Sequence, residues 1–192
     1  MVSTFWIYLA LLAPQEPEGA PVPAAAPKPT VDQQVASEAA AIQAAVALWC
    51  QEQAKVKLLD SSDGRLLLWS DFSSGDAREA SKRSVGLLAR MDRAFGAPED
   101  PAAAQLTGVM LRNAEAYHEL CNLVAATAPA QQAFMESSKS TTGFTLYAPP
   151  LTVYFHDAAV QKEARPDHSI AHSFVHLEMW RRYGALPLWL TE

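Results

Sequence analysis

Apolar residues recur at spacings of three and four along the segment holding Val31, Val35, Ile42, Ala45 and Trp49, the period of one helix face. With Thr30 as its cap, this pattern predicts an amphipathic helix to about Gln53. The opposite face carries acids and amides rather than bases, so packing on its own domain is expected rather than docking on an anionic membrane. Residues 56–60 and 66–70 are β-prone runs on either side of Ser61-Ser62-Asp63-Gly64, and read as strand, turn, strand. A second helix is expected from about residue 76 to Phe95, with Ala80, Val85, Leu88, Met91 and Phe95 inward and Gly96 as its stop. Residues 105–112 read as a further strand, and Asn113 as the cap of a helix carrying Tyr117, Leu120, Cys121 and Val124. A short helical piece over 131–137 follows. Residues 143–147 and 151–155 read as two strands parted by Pro149 and Pro150, which cannot occupy a central ladder position. Short strands among helices predict an α+β domain with a small mixed sheet.

Composition narrows this. Of 192 residues 49% are hydrophobic and 19% charged, enough to fill one core and too little for two. A net charge of -6 argues against a phosphate-backbone partner, so nucleic acid is not expected as a ligand. Residues 2–13, VSTFWIYLALLA, are uncharged and fall short of the ~20 residues a membrane-spanning helix needs. They fit a secretory signal peptide with small residues at Ala10 and Ala13, so export to a periplasm, envelope or medium is expected, with no transmembrane span. Residues 14–30 hold six of the 13 prolines and read as an extended tether, leaving 31–192 for the domain. Cys50 and Cys121 lie outside any CxxC spacing. An oxidising compartment would permit a disulfide between them, and any metal must be held by His and carboxylate.

The chemistry-bearing residues crowd toward the carboxyl end. His168, His172 and His176 follow Pro166-Asp167 at spacings of four, so a helix starting there places them on one face. Neighbours four apart are separated by about 6 Å along the axis, within reach of one metal, whereas His168 and His176 at about 12 Å cannot share it on a straight helix. His172 and His176 have the HExxH spacing with Ser173 in the second position. In that motif the glutamate takes the proton of the metal-activated water, which a serine hydroxyl cannot do near neutral pH. Glu178 does not substitute, being turned about 240° from His172 around the helix. By spacing alone the pair is a weak signal, since two histidines four apart on a helix are more often surface or packing residues than ligands.

Beyond this helix come Gly184, a Leu186-Pro187-Leu188-Trp189-Leu190 return and then Glu192. With these residues the chain resembles the gluzincin type of zinc metallopeptidase, in particular the bacterial peptidase-MA-like proteins of unassigned function. Their pattern is HExxH, a helix ending at Gly, then Pro-x-Trp-Leu-x-Glu-Gly. Positions His172, His176, Gly184, Pro187, Trp189, Leu190 and Glu192 match it. The upstream order of elements from about residue 56 is also similar, including the strand before Asp71, the helix ending at Phe95-Gly96, the strand over 106–111 and Tyr117. The resemblance implies a zincin-like fold with zinc held by His172, His176 and Glu192 and water in the fourth position. It further implies that the strand over 152–156 edges the cleft and pairs with an extended peptide, with His156 at its end.

Two departures shape the functional expectation. Ser173 stands where the resemblance would put the general base, so no catalytic residue is intact. The sequence also stops at Glu192, where the family continues into Gly and a further helix, so a carboxyl-terminal truncation is expected. The reading is an exported, zinc-metallopeptidase-like protein that is inactive or impaired as a hydrolase. The alternative is a non-catalytic secreted or envelope module that binds a peptide or protein partner in the inherited cleft.

Overall fold

The computed structural model describes residues 30–53, 55–60, 64–98, 105–156 and 165–184. The expected signal segment, the tether up to residue 29 and Pro187, Trp189, Leu190 and Glu192 all lie outside these described residues.

The chain runs through helix α1 (Val31–Glu52), strands β1 (Lys57–Asp60) and β2 (Leu66–Ser70), α2 (Ser74–Phe95), β3 (Leu106–Leu111) and α3 (Ala114–Thr127). A single 3-10 turn at Pro129–Gln131 leads into α4 (Gln132–Ser138), then β4 (Gly143–Leu146), β5 (Leu151–Phe155) and α5 (Pro166–Tyr183). The strands form one five-stranded sheet in the order β1-β2-β3-β5-β4. β2, β3 and β5 are parallel, and β1 and β4 are antiparallel edges. This is the α+β class with a mixed sheet that the pattern predicts.

Local chemistry sets the boundaries. Thr30 and Gln33 exchange side-chain and backbone bonds in a full capping box on α1. Ser73 Oγ accepts from the Asp76 amide and Asn113 Oδ1 from the Ala116 amide, capping α2 and α3. Gly184, at φ 71°, ends α5 in a backbone region that L side chains rarely adopt.

Each sheet face carries its own apolar layer. On one, α1 and α3 bring Ile42, Val46, Cys50, Tyr117, Leu120 and Cys121 onto Val109, Leu111 and Val153. On the other, α2 and α5 bring Ala77, Ala80, Leu88, Ile170 and Phe174 onto Leu66, Leu68, Met110 and Tyr154. Burying each large side chain contributes roughly 1.5–3 kcal/mol. Cys50 and Cys121 are both buried, unbridged thiols.

Three expectations are corrected. Val31 and Val35, placed inward by period, are 74% and 48% exposed; the buried stripe of α1 is Ile42, Val46 and Cys50. Phe95, also expected inward, is exposed and stacks edge-on against Tyr183. The strand over 152–156 lines the cleft through Val153 and Tyr154 but is not placed to pair with an extended peptide: β5 lies between β3 and β4, and β4 is the edge.

Candidate functional site

Helix α5 is fixed to the body along its whole length. Ile170, Ala171, Phe174 and Leu177 recur at helical spacing and are buried. Phe174 is seated against Gly108, where any β-carbon would overlap its ring. At the start of α5, Asp167 accepts from Arg83 Nε at 2.6 Å and from Arg165 Nε at 3.2 Å. Burial pushes the Asp167 carboxyl up, but the hydrogen bonds from Arg165 and Arg83 outweigh it and hold it below the usual aspartate range.

At the far end, Glu178 is fully buried and accepts from Arg181 Nη2 at 2.7 Å, Arg182 Nε at 2.7 Å and Arg65 Nη2 at 3.3 Å. Asp92 on α2 pairs with Arg65 and, at 2.5 Å, with Arg182. Burial raises Glu178, and the bonds from Arg181 and Arg182 more than reverse that, so it stays ionised. Removing one member of such a buried network typically costs 3–5 kcal/mol, because the rest is left uncompensated. The network joins α5 to β2 and α2, and so fixes which way the helix turns its histidines.

His172 turns toward β4 and shares a cleft with it. His172 Nε2 and His176 Nε2 lie 2.6 Å apart, close enough for one ring to donate and the other to accept, with the rings edge to face at 4.4 Å between centroids. Two nitrogens each about 2.1 Å from a tetrahedral zinc stand about 3.4 Å apart, so a modest side-chain rotation opens this pair to fit two of the four positions. Burial, and then the neighbouring His172, push His176 below the ordinary imidazole range, which favours the neutral, ligating form. Among the described residues no third His, Cys, Asp or Glu joins the pair in a cluster. Glu192, the expected third ligand, lies outside them.

Ser173 borders the same cleft, but its hydroxyl donates to the Ser169 carbonyl at 3.1 Å, one turn back along its own helix. It is engaged with backbone rather than with the space above the histidines. Glu178, in its ionic network on the buried side of α5, is equally removed from a base role.

The cleft is a cavity of about 590 Å³ between α5, β4 and α4, bordered by His168, His172, Ser173, Gly143, Thr145 and Phe134. The amide of Phe155 donates to the Thr142 carbonyl, and pairing continues in register through Phe144↔Val153 and Leu146↔Leu151. By the alternation of an antiparallel ladder, Gly143 and Thr145 then turn their N–H and C=O groups away from β5 to the outer side of β4, where the Gly143 carbonyl already accepts from Thr141 Oγ1 at 2.8 Å. His168 shares the cleft, and its side chain is 54% exposed and 4.0 Å from Asp167. His156 is not brought to the cleft lining: it follows β5, with its ring 6.4 Å from Phe72 and its Nδ1 buried without a hydrogen-bond partner.

The spacing of four brought the histidine pair into view from sequence. It gave no hint of β4 as the adjoining edge, nor of the Arg65–Asp92–Glu178 network, whose members lie far apart in the chain. No known family model, curated protein sequence or solved structure matches the chain.

Proposed function

We propose that the protein is a zinc-metallopeptidase-like domain that holds a divalent metal at His172 and His176 and has lost or greatly reduced hydrolytic power. The observation that carries this reading is the meeting of the two Nε2 atoms at 2.6 Å, with His172 bordering the cleft beside the edge strand β4. Two neutral imidazoles suit zinc, and Glu192 is the proposed third ligand through the resemblance. A bound zinc would supply Lewis acidity. The chain's own residues would hold it, orient a peptide along β4 and keep α5 fixed by the Asp167 and Glu178 ion pairs. What they do not supply is a base: Ser173 cannot take a proton near neutral pH and its hydroxyl is spent on Ser169.

A second reading, a peptide- or protein-binding module that needs no hydrolysis, is favoured by the edge itself. The Gly143 amide and the Thr145 amide and carbonyl turn outward, and an extended segment adding to β4 would pair with them, sharing or displacing the Thr141 hydroxyl on the Gly143 carbonyl. Export remains part of the proposal, supported by the uncharged run over residues 2–13.

The experiment is metal analysis of freshly purified full chain beside His172→Ala and His176→Ala, with peptide cleavage measured in parallel. One zinc per chain, lost in both variants with folding retained, is expected, with little or no cleavage. A well-folded natural chain that takes up no zinc under titration would refute the metal site, and efficient zinc-dependent cleavage would refute the impaired hydrolase.

A further inference from the structure

The first turns of α1 contribute nothing to the core. Residues 31–38 are all exposed, and burial starts at Ile42. This exposed half borders a groove of about 370 Å³ between α1, α4 and β4. Val35, Phe134 and Tyr147 wall it and are 48%, 44% and 38% exposed, a grouping of apolar surface that a folded domain usually covers. Among the described residues Glu38 is the only charged one lining it. Helix α1, which supplies Val35 and Glu38, precedes the stretch on which the resemblance rests, whereas Phe134 and Tyr147 lie within it.

The groove continues into the histidine cleft, because Phe134 and Thr145 line both. Helices α1 and α3 pack on one sheet face and α5 and α2 on the other, and the groove reaches round the β4 edge toward α1, with Tyr147 stacked on Trp180 of α5 at 4.8 Å between ring centroids. A strand added to β4 would turn successive side chains to opposite faces at a rise of about 3.3 Å. A peptide residue set beside His172 is thus followed by one delivered to the α1 groove.

We propose that this groove is a specificity subsite for an extended peptide bound along β4, and that it selects a long basic side chain. The methylenes of a lysine or arginine would lie along Val35, Phe134 and Tyr147, and the charged head would reach Glu38 at the mouth. Charge complementarity decides the class: a neutral side chain satisfies the walls but leaves Glu38 unused, and an acidic one meets it as a like charge. The inference rests on the reading that β4 takes a peptide strand.

The test uses the full chain and fluorescently labelled alanine–threonine host peptides in which one lysine is moved position by position, with norleucine as the neutral isostere. Binding is read by fluorescence anisotropy, and amide hydrogen exchange of the protein is followed with and without peptide. The expected result is one position where lysine binds about three- to fivefold tighter than norleucine at low salt, a gain that fades with added salt. Glu38→Lys, at an exposed helix position, should reverse that preference while the Gly143 and Thr145 amides still become protected on binding. Protected amides with no lysine preference, or a preference untouched by Glu38→Lys, would overturn the subsite alone. Absence of any binding, or binding without protection of those amides, would overturn the subsite and the peptide-binding reading together.

Discussion

Phe174 is held against Gly108 of the central strand so closely that a β-carbon at 108 would overlap the ring and also come within 3.2 Å of Leu68 Cδ1. Glycine is what lets α5 sit this close to the sheet, and α5 carries both histidines. Gly108→Ala should force the ring or the helix outward and cost about 1–3 kcal/mol in stability. Thermal melting is the measurement, and zinc affinity should fall with the melting temperature because the histidines move with the helix. An unchanged melting temperature would mean that Phe174 swings aside without strain.

Ser173 lies between the two histidines in sequence with its hydroxyl on the Ser169 carbonyl. A carboxylate placed there would extend further than serine into the cleft and could serve as a base. Ser173→Glu should therefore give zinc-dependent cleavage of a fluorogenic peptide above the natural chain's background. Continued silence with zinc bound would place the remaining defect in the third ligand or in substrate positioning rather than in the base.

Much of the architecture was legible in the sequence because it depends on short-range chemistry. Thr30, Asn113, Gly96 and Gly184 mark helix ends by capping or by backbone freedom, and the histidine pair follows from helical spacing. The misplaced edge strand had a long-range cause. β4 and β5 are similar short apolar runs, and only the pairing of β5 with β3 decides which is interior. A signal was present in the burial they imply: Leu-Thr-Val-Tyr-Phe is near-continuously apolar, as suits an interior strand, whereas Gly-Phe-Thr-Leu alternates. Val31 and Val35 failed for another reason. Periodicity says which residues share a face, not whether a partner element lies opposite, and the partners of α1 begin at Ile42. The contact of Arg65 with Glu178 spans 113 residues, beyond any local pattern.

Cys50 and Cys121 are fully buried in the layer between α1, α3 and the sheet. Burial pushes the Cys50 thiol up to about 12 and also raises Cys121, so neither offers thiolate near neutral pH. The native protein should not react with a thiol reagent such as Ellman's over the time of a routine assay, and should titrate two thiols once unfolded in guanidinium without reductant. Two thiols fit the structure; none after unfolding would establish a bridge that the free sulfhydryls here do not form.

The start of α5 should leave a mark on acid stability. Asp167 has its carboxyl held below the usual aspartate range because the bonds from Arg165 and Arg83 outweigh burial. As pH falls, the unfolded chain therefore takes up this proton before the folded one does, so stability drops with falling pH. The contribution is full above the ordinary aspartate range and is lost as pH falls through that range to the lower folded value. Asp71 works in the opposite sense, since burial raises its carboxyl, and removing Asp167 isolates one from the other. Asp167→Asn should lose about 1 kcal/mol at neutral pH, a modest figure because Arg83 and Arg165 are partly solvated, at 32% and 59% exposure. Its deficit relative to the natural chain should then shrink below pH ~4, in guanidinium melts taken at several pH values. A deficit that stays constant down to the acid limit would mean that Asp167 acts by shape and neutral hydrogen bonding, and that its charge contributes nothing to anchoring the helix that presents His172 and His176.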